Sequence, residues 1–279
     1  MEIKGWQYYN HAAIPITAPH IPVDLSPVED GRIWKLGGHK PLLVRYITDF
    51  DCGHETNWWY IIKDTPFDIN ALKAKRRYEI NKGIRNYEVR KIDPLLYQEA
   101  LCDVAFAAYE GYQAAHRPSC TRESFIARVE NRWPLFDLYG AFDKETDALC
   151  GYARLRLKDK YIDFAEMKTI PACERKGINA ALVNGVLNAY DAVLAEGGYL
   201  SDGSRSVNHE TAFQDYLEKY FGFRKAYCKL HIRYKGMWGC FINCVYPFRK
   251  LILRLDRIGP IHLVNSLLKM EEMTAERGK

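Results

Sequence analysis

The chain has 279 residues, 48% of them hydrophobic and 27% charged; the length allows one elaborated domain or two small ones, and the composition excludes a disordered or fibrous chain. Its eight cysteines, at 52, 102, 120, 150, 173, 228, 240 and 244, form no Cys-x-x-Cys pair, which favours reduced thiols in a cytosolic protein over a disulfide frame or a structural zinc site. The net charge of +5 is concentrated: between Lys73 and Lys91 eight Lys or Arg stand against Glu79 and Glu88, leaving the remainder about neutral. Such a stretch is either a solvated helix face or an attractor for a phosphate-bearing partner, whether a nucleotide tail, tRNA or a lipid headgroup.

The first residues lack the basic, apolar and small-residue succession of a signal peptide. The uncharged run Gly5–Val23 contains three prolines and many polar residues, so it is no spanning helix. Two strands are predicted next, over Pro41–Phe50 and Asn57–Lys63, from their β-branched and aromatic residues. A basic helix over Ile69–Asn86 follows, with Asp68 as its N-cap. Residues 1–87 therefore read as an N-terminal extension of strands plus a basic helix.

Residues 88–235 alternate strands and helices. The pattern predicts a strand over Glu88–Ile92, helices over Leu95–Tyr112 and Arg122–Trp133 (capped by Thr121), and strands over Leu138–Asp143, Leu149–Lys158 and Tyr161–Ile170. A long apolar helix is expected over Gly177–Leu194, then a strand Gly198–Asp202, a helix Glu210–Tyr220 and a closing strand Ala226–Tyr234. This order implies an α/β (α+β) fold, a mixed sheet flanked by helices. Residues 236–279 read as an amphipathic helical tail. Its apolar and aromatic residues are interrupted by Pro247 and flanked by Arg249, Lys250, Arg254 and Arg257. That suits either an interfacial helix on an anionic membrane surface or a helix capping the core.

The densest functional signal is the strand-to-helix junction that ends at Ile170-Pro171 and restarts near Gly177. Unpaired N–H groups and the positive end of the dipole make a helix start a cradle for a pyrophosphate, and a glycine lets backbone approach it. Arg175 and Lys176 add positive charge. This junction resembles the acyl-CoA-binding motif of the GNAT acyltransferase superfamily, with Pro171, Gly177, Ile178 and Leu182 in the expected places and departures at Glu174 and Asn179. The element order from Glu88 to Tyr234 is similar too. The resemblance implies an N-acyltransferase using acyl-CoA, acetyl-CoA first, bound by Ile170, Arg175, Lys176, Gly177, Ile178 and Asn179. The basic run Lys73–Val89 resembles the helix before the GNAT-like domain of FemAB-type aminoacyltransferases, many of which use aminoacyl-tRNA. A catalytically silent binding module of the same fold is the non-enzyme reading.

Acyl transfer to an amine needs a base, a polarised carbonyl and a proton for the leaving group. In GNAT-like enzymes the region of Glu166 supplies the base; the alternative is a strand carboxylate paired with Lys168. The polar run Ser201–Glu210 follows a buried strand, where sites form in open α/β sheets. It offers His209 as base or acid, with Asp202, Ser204 and Arg205 for substrate. The segment Tyr216–Phe223 resembles the family's closing Tyr-x-x-x-Gly-Phe, with Glu218 in the tyrosine's usual place and Tyr220 as a candidate acid. No Gly-x-Ser-x-Gly, His-Glu-x-x-His or P-loop occurs, and the dispersed histidines suggest no metal. The expected setting is cytoplasmic, with peripheral contact at the inner membrane face if the tail binds lipid, and a cell-envelope precursor is then the preferred amine acceptor.

Overall fold

A computed structural model describes residues 2–112, 117–207, 212–255 and 259–275. In chain order the strands are β1 (Trp6–Tyr9), β2 (Ala12–Pro15), β3 (Leu43–Thr48), β4 (Trp58–Lys63), β5 (Tyr87–Lys91), β6 (Asp137–Asp143), β7 (Leu149–Lys158), β8 (Tyr161–Thr169), β9 (Tyr199–Ser204) and β10 (Arg224–Tyr234). The helices are α1 (Ser26–Glu29), α2 (Ala74–Asn86), α3 (Gln98–Glu110), α4 (Arg122–Arg132), α5 (Ile178–Ala189), α6 (Asp191–Ala195), α7 (Ala212–Phe221), α8 (Trp238–Val245), α9 (Arg249–Ile252) and α10 (Gly259–Glu271). Mixed sheet flanked by helices, a strand-bearing N-terminal part and a helical C-terminal part are the architecture that the element order implied. The chain divides into two compact units.

The first unit comprises residues 1–61, 204–211 and 225–279. Its strand order is β1-β2-β3-β10-β4, with β2 and β3 parallel and β1–β2 and β3–β10 antiparallel. The β1–β2 hairpin lies inside the run Gly5–Val23, for which no strand is predicted. Its two-residue turn, Asn10-His11, has φ of 43° and 64° at both positions, the primed geometry that matches strand twist. The tail is broken into α8, a 3-10 turn at Tyr246–Phe248 where Pro247 interrupts, and α9. Ile242, Leu267 and Leu268 from the tail pack on Ala12 and Leu43 of the sheet, so this part of the tail belongs to a core. Among the described residues no helix is long and apolar enough to cross a membrane.

The second unit comprises residues 62–203 and 212–224. Strands run in the order β9-β8-β7-β6-β5, antiparallel except for β8–β9. The α3 and α4 helices bury Leu101, Val104, Phe125, Val129 and Trp133 against Leu138, Phe142 and Tyr152 of the sheet. Thr121 caps α4 in a reciprocal capping box with Ser124. The expected basic helix 69–86 is two pieces: Asp68 caps a single 3-10 turn at Ile69–Ala71, and Leu72 and Lys73 are extended before α2 begins. The expected helix 177–194 likewise breaks at Tyr190, whose ψ of 14° separates α5 from α6.

Candidate active site

In the second unit, β8 and β9 are parallel but pair only over Tyr161–Asp163 and Tyr199–Ser201. Beyond that the two strands share no further pairs, and they open a fork at their C-terminal ends. The cause is local. Lys158 pairs with Tyr161 and Leu155 with Phe164, yet Arg154 pairs with Glu166, so Ala165 is an extra residue on β8. A bulge of this kind bends its strand and increases its twist. On the other arm Gly203 has φ +88°. The strand β9 runs through Ser204, so Asp202 closes the expected strand as read, and Ser204, expected beyond it, is a strand residue too.

Glu166 stands on the β8 arm and pairs with Arg154 at 3.1 Å, each side chain 19% exposed. The alternative partner, Lys168, instead donates to the Tyr112 hydroxyl at 2.8 Å. Arg154 is held flat by Trp133 and Phe136, whose ring centres lie 4.9 and 4.5 Å away. Two phenols complete the surroundings. Burial pushes both Tyr109 and Tyr152 up, and the Glu166 charge adds in the same direction. The Tyr152 hydroxyl is fully buried with no hydrogen-bond partner among the described residues. Glu166 is thus held by one arginine beside a buried phenol, Tyr152, and a half-buried one, Tyr109.

Asp202 stands on the other arm. Burial pushes its carboxyl up to about 7, a hydrogen bond from Gln214 of α7 opposes this, and Asp163 reinforces it. Asp163 is itself raised by burial, against the pull of Arg156 and a hydrogen bond from Tyr161. A carboxyl that titrates near neutrality can give or take a proton under working conditions. Tyr220 lies on α7, half-buried, with its ring 5.0 Å from that of Tyr216.

At the end of β8, Ile170 leads into a 3-10 turn, Pro171–Lys176, and Gly177 starts α5 with φ +89°. The Gly177 N–H bonds Glu174 and the Ala181 N–H bonds Gly177, so the N–H groups of Ile178, Asn179 and Ala180 form the open first turn. The Asn179 side chain accepts from Thr169 at 2.9 Å and ties that turn to β8. Arg175 is exposed, and Lys176 pairs with Asp143 at 3.4 Å. One neighbour was unforeseen. The α2 helix packs its Gly83 directly on Gly177: a Cβ on Gly177 would lie 2.9 Å from the Gly83 nitrogen and 3.0 Å from its Cα. The Asn86 side chain adds a bond to the Lys176 carbonyl at 2.9 Å. The basic helix and the first turn of α5 are thus one assembly, with Lys75 and Arg85 exposed on α2.

Ser204 and Arg205 belong to the first unit. Arg205 donates from Nη1 to the Asn57 carbonyl at 2.7 Å and lies 4.4 Å over the Trp59 ring. His209 lies outside the described residues. Among those described, no group of three or more His, Cys, Asp or Glu is placed to hold a metal. Arg154, Tyr109, Tyr152 and Gly83 were not singled out from sequence. Only Gly83 left a signal, as an isolated glycine inside a helical pattern, which marks close packing.

No family model matches the chain, and no curated protein matches its sequence. Among solved structures it is similar to L-PGS from Bacillus licheniformis, with a TM-score of 0.50 and 14% identity over 82% of this chain and 79% of that one. A putative lysylphosphatidylglycerol synthetase C-terminal domain from Agrobacterium fabrum gives 0.45 and 11%, over 80% and 78%. The PaiA N-acetyltransferase of Thermoplasma acidophilum, solved with coenzyme A, gives 0.35 and 17%, over 48% and 87%. At such identity the first of these is a likeness of fold.

Proposed function

We propose that the chain is a GNAT-type N-acyltransferase that moves an acyl group from a phosphate-bearing carrier to an amine. The observation that carries this is the β8–β9 fork with an open helix start at its mouth. The fork separates two sheet strands at their C-terminal ends, where an extended carrier arm can lie against free backbone, and α5 presents three N–H groups to the carrier's phosphates. Glu166 takes the proton from the attacking amine as the carbon–nitrogen bond forms. Asp202, protonated below about pH 7, can return a proton to the departing thiolate or alkoxide as the acyl bond breaks. Arg175 and Lys176 supply charge at the turn, Ile170 and Ile178 its apolar frame.

The first carrier to test is acyl-CoA, acetyl-CoA before longer chains. A second reading is favoured by one observation: the basic helix α2 is packed on the phosphate-cradling turn, which extends the positive surface beyond what one small carrier needs. That reading is an aminoacyl-tRNA donor. Calorimetry with acetyl-CoA and longer acyl-CoAs, then with charged tRNA, separates the two. Micromolar binding of acyl-CoA followed by transfer to an amine in a panel supports the first. Binding of tRNA alone supports the second, and binding of neither refutes both. The amine acceptor is proposed to be a cell-envelope precursor, which an acceptor panel containing amino sugars and peptidoglycan precursors tests.

A further inference from the structure

The first unit holds a pocket of about 560 Å³, within the range of small-ligand sites. Two arginines, Arg45 and Arg205, line it together with His11 and three serines, and among the described residues no carboxylate does. Arg45 projects from β3, which lies between β2 and β10 in the sheet. Arg45 is half-buried, and arginines withdrawn from water are usually paired with an acid. This one makes no ion pair and no side-chain hydrogen bond among the described residues; its guanidinium meets only the Trp58 ring, 5.7 Å away. Burial pulls its pKa down, with only the hydroxyl groups of Tyr60 and Tyr9 opposing. On its far side a separate cavity of about 80 Å³, walled by Ile14, Ile47 and Trp58, offers no counter-charge either.

Arg205 is placed differently. Its bond to Asn57 and its stacking on Trp59 fix the plane of the guanidinium but use only one of its donors. Among the described residues no carboxylate meets it, and Lys225 sits over the same Trp59 ring at 4.9 Å. A fixed arginine fork and a half-buried arginine with no acid partner among the described residues thus line one cavity.

We propose that this pocket binds the phosphate monoester group of a ligand, with Arg45 and Arg205 as the charged donors. Two guanidinium groups match a dianion better than a carboxylate, and hydroxyl and imidazole groups at the rim suit a tetrahedral oxyanion with several acceptor oxygens. Leu43, Leu263, Leu267 and Met270 form an apolar wall for the rest of the molecule. The pocket is built wholly within the first unit, so the inference stands independently of the acyl-transfer reading.

The test uses phenyl phosphate, benzoate and vesicles of phosphatidic acid or phosphatidylcholine, with binding read by calorimetry and cosedimentation. Phenyl phosphate should bind saturably and better than benzoate. Arg45→Met should weaken it roughly ten- to a hundredfold, as loss of a charge-assisted hydrogen bond does, and Arg45→Lys should recover part of the loss. Because Arg45 has no acid partner among the described residues, Arg45→Met should melt at the same temperature as the parent or higher. Binding confined to phenyl phosphate assigns the group to a soluble ester. Arg45-dependent binding of phosphatidic acid vesicles, absent with phosphatidylcholine, assigns it to a lipid. No saturable binding of any phosphate probe, or binding that Arg45→Met and Arg205→Met leave unchanged, overturns the proposal.

Discussion

Gly83→Ala sets two effects of opposite sign against each other. Alanine is the better helix former by about 1 kcal/mol in a helix interior, so propensity alone predicts a more stable protein. Packing predicts the reverse. The new Cβ would fall well inside contact with the Gly177 carbonyl oxygen and 3.0 Å from the Ala181 nitrogen. Neither is the end of a flexible side chain: the Ala181 N–H donates to that carbonyl at 3.0 Å, and Gly177 is held at φ +89°. Relief therefore requires α2 to move off α5 by on the order of 1 Å, with loss of tight interior packing. Overpacking costs of roughly 1–3 kcal/mol then exceed the propensity gain, or at least cancel it at their lower end. At about 2–4 °C per kcal/mol for a chain of this size, the expected fall in melting temperature is up to about 8 °C. Gly239→Ala in α8 is the matched control, since its nearest neighbour would be Tyr234 at 3.6 Å and propensity should raise stability. Thermal unfolding followed by circular dichroism reads both. A Gly83→Ala protein that melts above its parent would refute the close α2–α5 contact, and with it the coupling of the basic helix to the first turn of α5.

Three further outcomes follow from the same geometry. Glu166→Gln keeps an acceptor for Arg154 and should leave the melting temperature nearly unchanged while abolishing transfer; Arg154→Met leaves a half-buried carboxylate unpaired and should cost about 1–3 kcal/mol in unfolding experiments. Asp202 holds its proton to about pH 7 when folded but only to the ordinary 3.8 when unfolded, so the folded state binds more protons between these values and stability falls as pH rises through that window. The slope is at most about 1.4 kcal/mol per pH unit, less for a half-buried group partly screened by solvent; Asp202→Asn should gain stability relative to the parent between pH 5 and pH 8, and a constant difference would disprove the raised carboxyl. In the tail, Phe248 and Leu251 are 62% and 61% exposed next to Lys250, which suits docking on an anionic bilayer. Phe248→Ser with Leu251→Ser should reduce cosedimentation with anionic vesicles without changing the fold, whereas deleting the tail would uncover the Ala12 and Leu43 core; equal cosedimentation of parent and variant would end the membrane reading.

Periodicity located the elements whose burial follows one rule along their length. The strand over Leu149–Lys158 and the capped helix at Arg122 were legible because alternation, a cap and a turn agreed there. The β1–β2 hairpin was hidden because Asn10-His11 supplies the two left-handed residues in place of the usual Asn-Gly, and prolines crowd the same stretch. The break at Leu72-Lys73 was hidden because the residues on both sides favour helix, and only the Asp68 cap decides where the first turn ends. The small and polar character of Gly203 and Ser204 ended the predicted strand at Asp202, although β9 continues through them.

The fork itself is a fact of pairing and could not be counted from composition. A turn at Asp159-Lys160 with Lys158 opposite Tyr161 would, with unbroken register, set Arg154 against Ala165 and leave Glu166 facing Ala153, on the other side of the sheet. One additional residue on β8 reverses that. It turns Glu166 to the face that bears Tyr152 and Arg154, and it bends β8 away from β9 after Asp163. The placement of the carboxylate and the opening of the strands therefore have a single cause. A residue that only closed a surface ion pair would need neither the bulge nor the buried Tyr152 and half-buried Tyr109 beside it. The combination favours a strand shaped around something that enters the fork.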